Sequence, residues 1–215
     1  MERETLNNKL KQKLDINVYV NQAMEDRTII PILLDIIETD KSAIKFLCEK
    51  IIRGVSERNP KLLYPFFERM ALLMETENNF IKWGLILTLP NLLKVDEEKK
   101  WEKVSKHYLA FLDSASIVTF GNTVSGVRKI LEIYPNYEKR IVSKLLIIDQ
   151  HTFLHKGEES PECLNVAKGQ IIDCFDEIYP ISNYQKQMRT FAHANVNNSR
   201  KQVRNKAKRF LKNTE

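Results

Sequence analysis

The 215-residue chain carries 34 Lys and Arg against 28 Asp and Glu, with 43% apolar and 29% charged residues. That balance suits a folded globular protein and is too hydrophobic for disorder. Six Gly and seven Pro leave few tight turns for an all-β sandwich, so composition points to helix.

The opening MERETLNNKLKQKLD has no apolar core of the kind a secretory signal needs, and no run of uncharged apolar residues is long enough to span a bilayer. Cys48, Cys163 and Cys174 are too few, and odd in number, for a disulfide framework. They read as reduced core thiols of a cytoplasmic protein. The net charge of +6 is unevenly placed. Residues 183–215 hold nine Lys and Arg against Glu215 alone, whereas the remaining 182 residues hold 25 basic and 27 acidic side chains. Positive charge is a property of one end.

Residues 1–24 read as a polar helix with a thin apolar stripe, Leu6, Leu10 and Leu14, followed by a short apolar patch, Ile16 to Val20. Together they predict an atypical N-terminal cap. From residue 25 onward the periodicity predicts helix pairs. The first helices run over Asp26–Glu38, Asn59–Met74, Glu97–Leu112, Tyr137–Ile148 and Tyr184–Asn195, with apolar residues at helical spacing as in Leu62, Phe66, Met70 and Leu73. Asn59 before Pro60 reads as an N-cap with proline at the first helical position. Pro135, Pro161 and Pro180 fall at boundaries, whereas Pro65 and Pro90 lie inside helical patterns and predict kinks or breaks. The turns are short and polar except for IDQHTFLHKGEESPE, which reads as an inserted surface loop.

The second helices share a pattern. They read Ile44-KFL-Cys48, Phe80-IKW-Gly84, Ile117-VTF-Gly121, Cys163-LNV-Ala167 and Val203-RNK-Ala207, an apolar residue followed four places on by a small one. The small positions are 36, 37, 46 and 40 residues apart, and the inserted loop accounts for the longest step. A small side chain lets one second helix approach the next closely, so that stacked pairs share a core.

Tandem helix pairs of about 40 residues, whose last unit carries Val203-Arg204-Asn205-Lys206-Ala207, resemble HEAT repeats of the armadillo-like class. The resemblance covers nearly all of residues 25–213. It implies an all-α, right-handed α-α superhelix of about five helix pairs as one domain over 1–215. Residues 1–24 would form the cap, and the repeats would span about 25–57, 58–95, 96–135, 136–180 and 181–215. It further implies that second helices line a concave face, and it is almost silent on function, because this fold serves many partners.

The C-terminal helix SRKQVRNKAKRFLKN is the sharpest functional candidate. Val203, Ala207, Phe210 and Leu211 form its apolar stripe, and at about 100° per residue Arg200, Lys201, Arg204, Lys208 and Lys212 gather on one flank. Such density suggests an anionic partner: nucleic-acid phosphates, an acidic peptide or a membrane surface. The alternative is a solvated terminal helix. The flank has no aromatic platform for bases, since Phe210 lies on the buried side. No basic ladder continues through Lys45, Ile81, Val118, Leu164 and Arg204, the positions after each apolar anchor, as a bound duplex requires.

In the inserted loop, His151 and His155 could share a helical face and hold a metal with a carboxylate, although their spacing fits no zinc signature. The HEAT-like DNA alkylation-repair glycosylases use an Asp with neighbouring aromatics and an Arg. Trp83, Trp101, Asp113 and Arg128 are the only raw material here, and their order does not reproduce that motif. Packing explains both tryptophans, and a turn or N-cap explains Asp113. No phosphate-binding glycine loop or nucleophile elbow occurs. The sequence therefore reads as a non-catalytic interaction module without a cofactor, binding a protein or peptide. A nucleic-acid binder, including a diverged repair glycosylase, is the alternative.

Overall fold

The computed structural model describes residues 2–12 and 14–215. The chain divides into two compact units, Met1–Val104 and Ser105–Glu215. The first holds α1 (Arg3–Leu10), α2 (Ile16–Glu25), α3 (Ile29–Thr39), α4 (Ile44–Arg58), α5 (Phe67–Leu73) and α6 (Asn79–Thr88). The dividing point falls within α7 (Lys100–Ala110). The second unit holds α8 (Ile117–Ser125), α9 (Val127–Ile133), α10 (Glu138–Leu146), a hairpin of β1 (Leu154–His155) and β2 (Glu158–Glu159), α11 (Pro161–Ile178), α12 (Gln185–Ala194) and α13 (Lys201–Asn213).

Caps and prolines set many of these boundaries. Asp15, Asn78, Ser116 and Ser160 each accept a backbone N–H two or three residues on, satisfying a donor that a helix start leaves free. Asn59 makes no such bond, and the helix expected over 59–74 does not form as one piece. Its first part is two 3-10 turns, Pro60–Leu62 and Tyr64–Phe66, and α5 begins only at Phe67. Pro65 has no N–H to give, so the tighter turns serve there. Pro90 likewise turns the end of α6 into the 3-10 segment Leu89–Val95. These short segments, with α9 in the second unit, stand between successive helix pairs, so the units carry the third short element that armadillo-type repeats add to a pair.

In the first unit α4 packs against α2, α3 and α6. It runs parallel to α6: Glu49 lies beside Gly84, and Asn91 Nδ2 donates to Ser56 Oγ at 2.8 Å. In the second unit α11 packs between α8 and α13, with α12 covering it. Gly121 borders Gln170, and Asp173 accepts from Lys206 Nζ at 2.5 Å and from Arg209 Nη2 at 3.0 Å. The buried side chains include Leu33, Leu34, Ile52, Phe67 and Trp101 in the first unit and Phe120, Phe153, Phe175 and Phe210 in the second.

Three details correct the sequence reading. The small residues are not equivalent: Cys48, Gly84, Ala167 and Ala207 are buried and Gly121 only half-buried, and Gly84 borders the preceding second helix while Gly121 borders the following one. Gly54 and Gly169, outside the aligned pattern, make the matching approaches to Val20 and Val203. Second, the N-terminal stretch holds two helices, α1 and α2, and Leu14 of the expected stripe is 45% exposed. Tyr19 closes the turn between them by donating to Lys9 O and accepting from Leu14 N. Third, the inserted stretch lies at the surface as expected, Leu154 to Glu159 being exposed on a short hairpin, but its base is anchored in the core. Leu154 N donates to Ala115 O and Phe153 is 1% exposed, its ring edge-on to Phe120 at 5.2 Å. Lys156 and Gly157, both with positive φ, make the hairpin turn.

Candidate functional site

Two surfaces stand out, one in each unit. The first is the side of α4 and α6 turned from the core. On α4, Phe46, Lys50, Arg53 and Glu57 recur every three or four residues and so form one stripe, opposite buried Cys48, Ile52 and Val55. The matching stripe of α6 is Phe80, Trp83 and Leu87, without a charge. Phe80 is 67% exposed. Its ring meets Phe46 at 5.7 Å and Trp83 at 5.5 Å, both edge-to-face, and Lys45 Nζ lies 5.5 Å from the Phe46 centroid. Edge-to-face rings of this spacing attract one another, which favours the clustered arrangement.

Beneath this cluster lies Glu49, 5% exposed. Burial pushes its carboxyl up to about 7, against the opposing pull of Arg53 and Lys50. Arg53 Nε stands 3.5 Å from Oε1, an ion-pair distance, and Oε1 accepts no hydrogen bond from the described residues. Gly84 makes this burial possible: a Cβ there falls 2.5 Å from Glu49 Cγ and closer still to its carboxyl.

The second surface is α13. Of the five residues singled out from the sequence, the structure engages two within the fold. Arg200 pairs with Glu162 of α11, and Arg204 Nη1 donates to the carbonyls of Asn198 and Ser199 at 2.8 Å each, closing the turn before its own helix. Lys201, Lys208 and Lys212 are exposed, make no ion pair among the described residues and share the flank turned away from α11. On the flank facing α11, Lys206 and Arg209 are neutralised by Asp173, with Asp176 4.0 Å from Arg209. A cleft of about 170 Å³ opens here, lined by Val166, Gly169, Gln170, Arg200, Gln202 and Lys206.

The remaining sequence candidates are absorbed by packing. His151 sits 4.4 Å from Phe153 and 3.0 Å from Ser114 O, while His155 is exposed on β1, so the two share no helix. Among the described residues no His, Cys, Asp and Glu group has metal-binding geometry. Trp101 is fully buried, Asp113 pairs with Lys144, and Arg128 pairs with Glu132 and donates to Glu177 O. Asp113 does not cap α8; Ser116 does. The aromatic cluster was the signal missed. Phe80 and Trp83 lie in an apolar run that reads as core, and only the placement of Gly84 against Glu49 turns that side of α6 outwards.

No protein-family model matches the chain, and no curated protein does. Among solved structures, a designed armadillo repeat protein, YIII(Dq)4CqI, matches over 91% of this chain and 86% of its own, at 12% identity and a TM-score of 0.55. The fold is thus an all-α repeat of the armadillo/HEAT-like solenoid class. No helix among the described residues is long and apolar enough to cross a membrane.

Proposed function

We propose that this protein is a non-catalytic interaction module that holds a protein or peptide segment on the outward stripes of α4 and α6. The observation that carries this reading is Phe80, two-thirds exposed between Phe46 and Trp83. Clustered exposed aromatics cost solvation in a free chain and are the usual anchors of a protein interface. Repeat folds of this class present such surfaces along their helices. Lys201, Lys208 and Lys212 add a separate attraction for an anionic partner, in which Arg200 and Arg204 take a supporting place. Three free thiols, two of them buried, fit a cytoplasmic setting.

The test is affinity capture from cell extract with the full chain, its Phe80→Asp variant and a Lys201→Gln/Lys208→Gln/Lys212→Gln variant, each with and without nuclease. Capture that survives nuclease and is lost in Phe80→Asp supports the module. Capture abolished by nuclease and by the triple variant, but indifferent to Phe80, would replace it with nucleic-acid binding.

A further inference from the structure

We infer that the α4–α6 face takes an acidic segment carrying aromatic or large aliphatic side chains: its apolar groups seat against Phe46, Phe80 and Trp83 while its carboxylates meet Lys45, Lys50 and Arg53. This rests on the interaction-module reading and narrows it to one chemical class of partner. The apolar half follows from the open faces of rings that already contact one another edge-to-face, so that part of their side-chain freedom is lost before binding.

The charged half follows from the neighbouring side chains. Lys45 stands over the Phe46 ring, and Lys50 and Arg53 continue the same side of α4; the stripe of α6 is uncharged, and Lys82 lies on its other flank. Against these stand Asp40, within electrostatic reach of Lys45 but paired with Arg3 at 3.9 Å, Glu57, near the far end of the α4 stripe, and Glu49, the sole counter-ion Arg53 has within ion-pair distance among the described residues. Glu49 is buried, so its charge does not reach a ligand as an exposed one does, and near neutrality it is in part protonated. The face therefore presents an excess of positive charge around an apolar centre. A basic segment meets three cations there, each unfavourable to it. In the second unit the corresponding cations are already satisfied: Lys206 and Arg209 share Asp173, and Arg200 holds Glu162. The unpaired lysines of α13, Lys201, Lys208 and Lys212, have no exposed ring of their own helix beside them, since Phe210 is buried, whereas Lys45 and Lys50 share the α4–α6 face with exposed aromatic side chains.

Fluorescence anisotropy of the full-length chain with three labelled peptides of equal length tests this. One alternates Asp or Glu with Phe and Leu; one replaces each Phe and Leu by Ala; one replaces each Asp and Glu by Lys. The acidic aromatic peptide is expected to bind, with loss of about tenfold or more on Phe80→Ser and several-fold loss on Lys50→Glu, each variant being checked as folded by circular dichroism and its Tm. Rising salt weakens the binding. Equal or tighter binding of the basic peptide overturns the charge assignment, and equal binding of the alanine peptide overturns the aromatic seat. Failure of all three peptides overturns the partner class while Phe80-dependent capture from extract stands; loss of that capture too removes the module itself.

Discussion

Glu49 makes the packing of the first unit measurable through pH. Its carboxyl is raised from 4.5 to about 7, burial being the main cause. The folded state therefore binds this proton more strongly than the unfolded chain. Below pH 4.5 both states are protonated and nothing is lost; as pH climbs through 7 the fold must hold a buried carboxylate, and stability falls. At 1.36 kcal/mol per tenfold change in proton affinity, the loss approaches about 3 kcal/mol. Glu49→Gln removes it. Urea unfolding followed by circular dichroism, at intervals from pH 4.5 to 8, should show the variant level with the parent at the acid end. At the alkaline end the variant should be more stable by roughly 2–3 kcal/mol. The first unit contains no histidine, so the difference between the two curves isolates this carboxyl. Gly84→Ala should flatten the parent curve in the same way, because the added Cβ displaces the Glu49 carboxyl towards water. A parent-minus-variant difference constant across the range would mean that Glu49 is solvated. The close approach of α4 and α6 at Gly84 would then be wrong.

Other outcomes follow from packing and charge. Gly121→Leu drives a side chain into Gln170, whose Cδ lies 2.7 Å from the site of the new Cβ; overpacking should lower stability by about 1–3 kcal/mol, read as a drop in Tm. Phe153→Ala should cost about 3–5 kcal/mol, far more than a change in a surface loop, because the ring is fully buried against Phe120. Neutralising Lys201, Lys208 and Lys212 together should leave the unfolding free energy within about 1 kcal/mol of the parent, since these exposed cations contribute little to the fold. It should also reduce the salt sensitivity of any anionic partner's binding. Neutralising Lys206 instead removes an ion pair to Asp173 and should act on stability rather than on binding.

The helical class, the repeat and most boundaries were legible in the sequence because they rest on local physics. Periodic apolar residues form a stripe wherever the backbone is helical, and a proline withholds its N–H whatever surrounds it. Pro65 and Pro90 broke their helices as expected. What depended on distant residues was not legible. Phe80 and Phe153 are the same residue type in apolar surroundings, yet one is two-thirds exposed and the other sealed. The difference is whether another element arrives to cover the ring, and only the packed chain decides that. Charge behaved likewise. Nine basic residues near one end looked like a single surface, but which of them remain available was settled by Glu162 and Asp173, more than thirty residues upstream. Sequence fixes what each side chain can do over a turn or two of helix; the tertiary structure assigns its partners, and with them the face left for another molecule.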